Sequence, residues 1–544
     1  MRDIFTLEII NNALISIAEE MFYVFGRTAK SPVIYEVLDY AVALMDEQGN
    51  MLAQANGVPG FVGVLDYAVK GSIRELGEEL EDGDIIIVNI PHIAGTHLND
   101  VVLIKPIFYK EELVGFSVNK GHWSEIGGMR FGSWTTDSTE IFQEGLQIPP
   151  VKLYKKGKPV RDIIEMIRQN SRLPEQTLGD MMAQIAALMI GSRRVTEIID
   201  KYGITAYREA CKKAIADSYR YAIIRLKELP KGTFMAHDYI DDDGITDEPL
   251  PIKVSVRITD EDITVDFTGS SKQAKGPINS PLPGTIGAVR IVYVALLDPH
   301  HPYVNYGFLS PLKVHAPEGT VFNPSRDAPV ATFWESMLYA TDLVWKALAP
   351  HVPNRLPAGH FLTVGATILG GRDKRSGEPF GIVEPQPGGW GAASSRDGVN
   401  ALVCVGDGET YASSIEVLER RYPVLVEQYS LNIEGGAGHG KFRGGFGIIK
   451  DYRVLTDEAF FTISFGRSKY PPWGVSGGLN GTPCKFIIRK NDGRILEGRK
   501  IAAFRLSEGD VVSIRTGGGG GWGDPLERDP ELVLMDVINE YITI

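Results

Sequence analysis

Val101-Val102-Leu103-Ile104-Lys105-Pro106-Ile107-Phe108-Tyr109, then Lys110-Glu111-Glu112, then Leu113-Val114-Gly115-Phe116-Ser117-Val118, reads as an antiparallel hairpin. Two apolar arms rich in β-branched and aromatic residues flank a short polar turn. A second hairpin stands upstream: Tyr40-Ala41-Val42-Ala43-Leu44-Met45, the turn Asp46-Glu47-Gln48-Gly49-Asn50, then Met51-Leu52-Ala53. Between them lie an amphipathic stretch near 64–77 and a buried strand, Asp84-Ile85-Ile86-Ile87-Val88-Asn89. Leu7, Ile10, Leu14, Ile17, Met21 and Val24 repeat at helical spacing over 6–25, with Gly26 as the stop.

Helical patterning returns over 160–229, punctuated by Gly203 and Pro230; Met181, Met182, Ile185, Leu188 and Met189 form an apolar face read as core. From 233 the period drops to two, with Ile252, Val254, Val256 and Ile258, a turn at Thr259-Asp260-Glu261-Asp262, and Ile263, Val265 and Phe267 returning. Residues 328–350 read as helix, and from about 400 short strands alternate with glycine clusters up to a last helix near 529–541. Helices and antiparallel hairpins come in blocks, so the class is α+β. The expected layout is an N-terminal α+β region over 1–230, a central α+β region over 231–400 and a glycine-rich, β-dominated region over 401–544.

At about 100–200 residues per domain, 544 residues suit such a multi-domain chain. A net charge of −13 argues against nucleic acid as the main partner, since phosphate binding needs a basic face. Cys211, Cys404 and Cys484 are scattered and odd in number, which fits a reducing compartment. Met1-Arg2-Asp3-Ile4-Phe5 turns polar too soon for a signal peptide, and no apolar run approaches the ~20 residues that span a bilayer. A cytoplasmic, membrane-free protein is the expectation.

Several short motifs fail for want of context. Gly474-Val475-Ser476-Gly477-Gly478 matches a nucleophile elbow, but both flanks are loop. Gly435 to Lys441 matches a phosphate loop, but Phe442 stands where the Mg²⁺-binding hydroxyl belongs. Gly518, Gly520 and Gly523 match a dinucleotide fingerprint after Val511-Val512-Ser513-Ile514, without room for the βαβ unit it needs. The run 517–521 is read as structural, packing the strand at 511–514 against the final helix. Asp241-Asp242-Asp243-Gly244, with His237 upstream, reads as a solvated turn in preference to a metal site.

The chemistry concentrates in His92, His97 and His122, three of the ten histidines. With a three-residue turn at 110–112, stepping outward from Tyr109 and Leu113 sets Asp100 opposite His122, where Cβ atoms are about 4.5–5.5 Å apart. His97 sits three residues before Asp100, and Asp39 at the open end of the other hairpin. Two imidazoles and two carboxylates suit Zn²⁺, Mn²⁺ or Fe²⁺; Ca²⁺ prefers oxygen ligands alone. The other reading is that both imidazoles only hydrogen-bond at strand ends. Glu36 and Glu125 stay open as ligands, as partners orienting the imidazoles, or as surface carboxylates.

These residues resemble the hydantoinase B/oxoprolinase family along nearly the whole chain. The matching stretches are Leu38-Asp39-Tyr40, Gly95-Thr96-His97-Leu98-Asn99-Asp100, Gly121-His122-Trp123-Ser124-Glu125-Ile126-Gly127-Gly128, Glu144 to Pro150, Gly179-Asp180 with Ala183-Gln184, and Asp266-Phe267-Thr268-Gly269-Ser270. Arg443-Gly444-Gly445-Phe446-Gly447, Pro471-Pro472-Trp473-Gly474 and the run 517–521 leading to Gly523-Asp524-Pro525 continue the match. Phe61 departs from it, standing where many hydantoinase-type members have histidine.

The resemblance implies a B-type subunit with one divalent metal ion held by Asp39, His97, Asp100 and His122, and an A-type partner subunit that binds ATP and Mg²⁺. The partner activates a carbonyl oxygen of a small cyclic amide (hydantoin, 5-oxoproline or a lactam). Water activated by the metal then opens the ring, with Glu125 or His92 assisting proton transfer. The alternatives are a subunit of an acetone- or acetophenone-type carboxylase, and a non-catalytic scaffold in a hetero-oligomer.

Overall fold

The structure is a computed structural model that describes residues 4–408 and 410–543. Residues 1–3, part of the stretch read against a signal peptide, lie outside it. Its organising element is a seven-stranded antiparallel sheet built from β1 (Tyr40–Met45), β2 (Met51–Gln54), β3 (Ile85–Val88), β4 (Asp100–Tyr109), β5 (Glu112–His122), β6 (Val151–Lys155) and β7 (Lys158–Pro159), in the order β2-β1-β5-β4-β3-β6-β7. Side chains alternate faces along a strand, and both faces of this sheet are covered. Along β1, Tyr40, Val42 and Leu44 join the core under the long helices, while Ala41, Ala43 and Met45 join the larger core on the other side.

The helical layer is Ile4–Thr28, Pro174–Tyr202 and Ile204–Lys227. Gly26 does not stop the first helix: it stays in the right-handed spiral, where its missing side chain leaves room for the Tyr40 hydroxyl. Gly203 does separate the next two, at φ +84°. The methionine stripe is only partly core. Met181, Ile185 and Leu188 are buried, but Met182 and Met189 are half-exposed. The inward face holds polar residues instead. Asp180 accepts from the backbone N–H groups of Lys30 and Ser31, and Gln184 bonds Trp123, Asn119 and Val101. Such groups stay buried because each finds a partner.

A second sheet, in the order β11-β10-β9-β8, comprises β8 (Gly232–Ile240), β9 (Leu250–Ile258), β10 (Ile263–Asp266) and β11 (Leu312–His315). Helix Trp334–Leu348 packs on β8 and β9. Two further sheets follow. One joins Thr367–Arg372, Pro379–Glu384, Ala459–Ser464 and Lys500–Leu506; the other joins Val424–Leu431, Ile448–Val454, Lys485–Arg489, Ile495–Gly498 and Val511–Arg515. The architecture is α+β throughout, and among the described residues no helix is long and apolar enough to cross a membrane. All three cysteines are free and buried.

The glycine run 517–521 packs against backbone from other loops; the final helix, its expected partner, is not what it meets. Side chains there would strike the carbonyl oxygens of Thr482, Gly436, Trp390, Trp473 and His439 at 2.0–2.4 Å. The acidic triplet departs from the solvated turn expected of it: Asp241, Asp242 and Asp243 are all buried. Asp242 pairs with Arg499 and Lys500, while Asp241 accepts from the backbone of Ser468 and Tyr470.

Candidate metal centre

The site sits at the open end of the β4–β5 hairpin, and its register sets it. The turn is two residues long, Lys110-Glu111, both at positive φ, and Tyr109 faces Glu112. Carried outward, that register would miss Asp100 against His122 by one residue. A bulge restores it: Phe108 faces Leu113 but Ile107 faces Gly115, so Val114 is the extra residue and Asp100 lies opposite His122. The expected three-residue turn was one residue too long, and the bulge compensates for it.

His97 arrives from the loop that closes the short helix Pro91–Ala94, where Gly95 is left-handed at φ +93°. Asn99 pins that loop by donating to the carbonyls of Trp123 and Gly132. Asp39 precedes β1, whose pairing with β5 brings the Asp39 carbonyl onto the His122 N–H at 3.1 Å. Leu38, at φ +63°, bends the chain there in a conformation that a bulky residue rarely adopts.

Three donor atoms converge. His97 Nε2 and His122 Nδ1 are each 3.0 Å from Asp100 Oδ1 and 3.2 Å from one another. His97 Nδ1 lies 2.9 Å from the Ala331 carbonyl, which can only accept, so Nδ1 carries a proton and Nε2 is the nitrogen turned toward Asp100 and His122. That hydrogen bond is the support ligating histidines ordinarily have. Asp39 Oδ2 lies 3.9 Å from His122 Nδ1, with a quarter of its side chain exposed. Burial works against ionising Asp100, yet the His97 and His122 imidazoles outweigh it and hold the carboxyl well below its usual range. Asp39 moves the opposite way, pushed up to about 7 by burial, with Asp100 and Asp407 adding to the shift against His122.

The donor set fits a divalent ion. Ligands about 2.1 Å from a tetrahedral metal stand about 3.4 Å apart, close to the spacing here. Asp100 Oδ2 and His122 Nε2 have no hydrogen-bond partner among the described residues. His97, Asp100 and His122 form a group able to hold a metal ion, with Asp39 beside it.

The other residues singled out in the sequence are not brought to this point. His92 is exposed on the helix Pro91–Ala94, and neither it nor Glu125 lines the cavity that contains the three donors. Glu125 is buried and fully engaged, accepting from Gly127, Gly132, Ser133 and Arg172. Glu36 ends the short helix Pro32–Tyr35. Conversely, the cavity, about 70 Å³ in volume, is walled by residues that the sequence did not single out: Trp134, Phe333, Trp334, Glu384 and Asp407. None shares a spacing motif with His97. Glu384 ends a strand before Pro385, and Asp407-Gly408 reads only as a turn. Phe61 also lines this cavity, and the buried Lys120 ammonium lies 4.9 Å from its ring.

The chain is similar to known proteins along nearly its whole length. The B component of a putative D-/L-hydantoinase from a Pseudomonas species (strain NS671) is 34% identical, over 99% of this chain and 93% of its own. The beta chain of caprolactamase from Pseudomonas jessenii is 32% identical, over 100% and 94%. The crystal structure of the ATP-dependent caprolactamase from Pseudomonas jessenii superposes with a TM-score of 0.93 at 30% identity, over 100% of this chain and 95% of the other. An acetone carboxylase in its nucleotide-free form has the same fold, with a TM-score of 0.91 at 21% identity, over 99% and 78%. The family model for hydantoinase B/oxoprolinase matches residues 3–525, and the chain belongs to that family.

Proposed function

We propose that this chain is the B-type subunit of an ATP-dependent enzyme that opens small cyclic amides, and that His97, Asp100 and His122 hold one divalent metal ion with Asp39 beside it. The observation that carries the reading is the convergence of two imidazole nitrogens and one carboxylate oxygen within 3.2 Å in a buried cavity. When bound, such an ion supplies Lewis acidity, which makes water nucleophilic at neutral pH.

This chain's residues do the rest. His97, oriented by the Ala331 carbonyl, turns Nε2 toward the position of the ion. Asp100 stays ionised between the imidazoles. Asp39 Oδ2, 3.9 Å from His122 Nδ1 and partly exposed, is placed to take and return a proton at the edge of the donor group. Asp39 replaces Glu125 and His92 in that role, because Glu125 is saturated by its loop and His92 faces outward. Trp334 and Phe333 wall the cavity with apolar surface beside the donors.

A cyclic amide resists attack because resonance weakens its carbonyl as an electrophile. Phosphorylation of the oxygen by an ATP-binding A-type partner removes that protection. The names of the relatives, one component of a hydantoinase and one of a caprolactamase, favour such a division of labour. The shared fold of acetone carboxylase favours a second reading, carboxylation of a ketone. Co-expression with the partner and assay of hydantoin, 5-oxoproline and caprolactam against acetone plus bicarbonate separates the two. ATP-dependent ring opening by the complex, and by neither chain alone, is expected. Carboxylation without ring opening would replace this reading with the second.

A further inference from the structure

Glu384 lines the same cavity as His97, Asp100 and His122, and its carboxylate is used one-sidedly. It ends the strand Pro379–Glu384 and is buried, as is the Lys450 ammonium beside it. Oε1 accepts from Lys450 at 2.7 Å, from Gln386 at 3.1 Å and from the Tyr452 hydroxyl. Oε2 is buried and has no partner among the described residues. Burial resists ionisation, but Lys450 outweighs it and the carboxyl titrates below its usual range. The group is therefore a committed anion with one oxygen saturated and one bare. A buried acceptor left without a donor is costly, so a ligand that supplies an N–H gains by pairing with it, and one that lacks it leaves the cost in place.

We infer that Glu384 Oε2 is the acceptor for the amide N–H of a cyclic substrate and selects rings that carry a free N–H. This deepens the cyclic-amide reading of the site and rests on it. A lactam or hydantoin bound this way turns its nitrogen toward Glu384, which fixes the orientation of the neighbouring carbonyl carbon within the cavity. Ketones and N-alkylated rings have no hydrogen to offer.

Lys450 makes the test sharp. An ammonium only donates, so in Glu384→Gln the side-chain carbonyl must stay at the Oε1 position, and the new NH₂ takes the place of Oε2. The variant keeps its buried hydrogen bonds while the free position changes from acceptor to donor.

Binding of 2-pyrrolidone, N-methyl-2-pyrrolidone and γ-butyrolactone to the metal-loaded full chain is measured by saturation-transfer NMR titration, with metal content checked in parallel. The wild type is expected to bind 2-pyrrolidone at least about ten-fold tighter than either ring lacking the hydrogen. Glu384→Gln is expected to bring the three within about three-fold of one another at unchanged metal content. General damage to the fold would weaken all three alike and leave their ratio intact. The inference is overturned if the wild type binds the lactone as tightly as the lactam, if it binds no lactam, or if Glu384→Gln keeps the preference. The wild-type comparison decides even if the variant does not fold. Ring opening by the complex is scored separately. A retained N–H preference without ring opening would remove the hydrolase reading alone, and ring opening without the preference would remove the Glu384 contact alone.

Discussion

At His97 one hydrogen bond decides the chemistry. The Ala331 carbonyl holds a proton on Nδ1, so Nε2 is the nitrogen that meets His122 Nδ1 and Asp100 Oδ1. Removing His122 takes one of three converging donors. Loss of an outer-shell partner alone costs about 10–100-fold in metal affinity, so His122→Ala should lose more than that and lose ring opening with it. Elemental analysis of the purified protein checks this. Asp241→Ala is the contrast. Asp241 accepts two backbone N–H groups, so its loss should lower the melting temperature and leave metal content at the wild-type level. A full metal complement in His122→Ala would misplace the site.

At the scale of the element, the β4–β5 hairpin transmits register to the converging donors Asp100 and His122. Gly115, next to the bulged Val114, lets β1 approach so closely that an added Cβ would lie 2.3 Å from the Met45 carbonyl oxygen. Gly115→Ala should push β1 from β5, displacing Asp39 relative to His122. The expected outcome is a loss of about 2 kcal/mol or more in unfolding free energy, with weakened metal binding, by denaturant titration and metal analysis.

The opposite end of the sheet offers a pH test. Asp84, just before β3, accepts from the backbone of Glu81 and Lys156 and pairs with Lys152 at 2.8 Å. Burial opposes its charge, but these donors win and hold it below its ordinary value of 3.8. A carboxylate depressed in the folded state contributes stability that is complete above the unfolded value and fades as pH falls through the folded one. Asp84→Asn should therefore cost about 2 kcal/mol at neutral pH and progressively less as pH falls below the ordinary carboxylate range, read from urea titrations across that span.

Across the whole molecule, the cavity is assembled from segments far apart in the chain. Asp39 and Phe61 come from the N-terminal hairpin region, Phe333 and Trp334 from the start of the helix Trp334–Leu348, and Glu384 and Asp407 from beyond it. The C-terminal wall depends in turn on the glycine core. A Cβ on Gly519 would lie 2.1 Å from the Trp390 carbonyl oxygen, and that contact is backbone on backbone, with no flexible side chain to yield. Gly519→Ala should thus give insoluble or unassembled protein. Gly493, which has open space around it, should tolerate alanine with only the strain of its φ of +87°. Soluble, assembled but metal-free Gly519→Ala would overturn the structural role.

The sequence by itself determined the elements and that Asp100 and His122 stand at the same open end of one hairpin; their direct pairing needed the bulge at Val114. Apolar periodicity is local, and an antiparallel hairpin converts sequence distance into spatial distance by simple counting. The helices over 160–229, the period-two strands from 233 and the His97–Asp100–His122 grouping were legible for that reason. The bulge at Val114 was not, because it sits where β1 closes on Gly115, a contact between separate elements that no local pattern records. The burial of Asp241–Asp243 against Arg499 and Lys500 was equally hidden, since a run of aspartates ending in glycine has the composition of a surface turn. Only the tertiary structure decided which groups share the cavity with His97, Asp100 and His122. It saturated Glu125 with its own loop, turned His92 outward and carried Glu384 and Asp407 into the cavity from more than 250 residues downstream of His122. No spacing rule reaches that far, because the juxtaposition is fixed by the packing of whole sheets and not by the run of the chain.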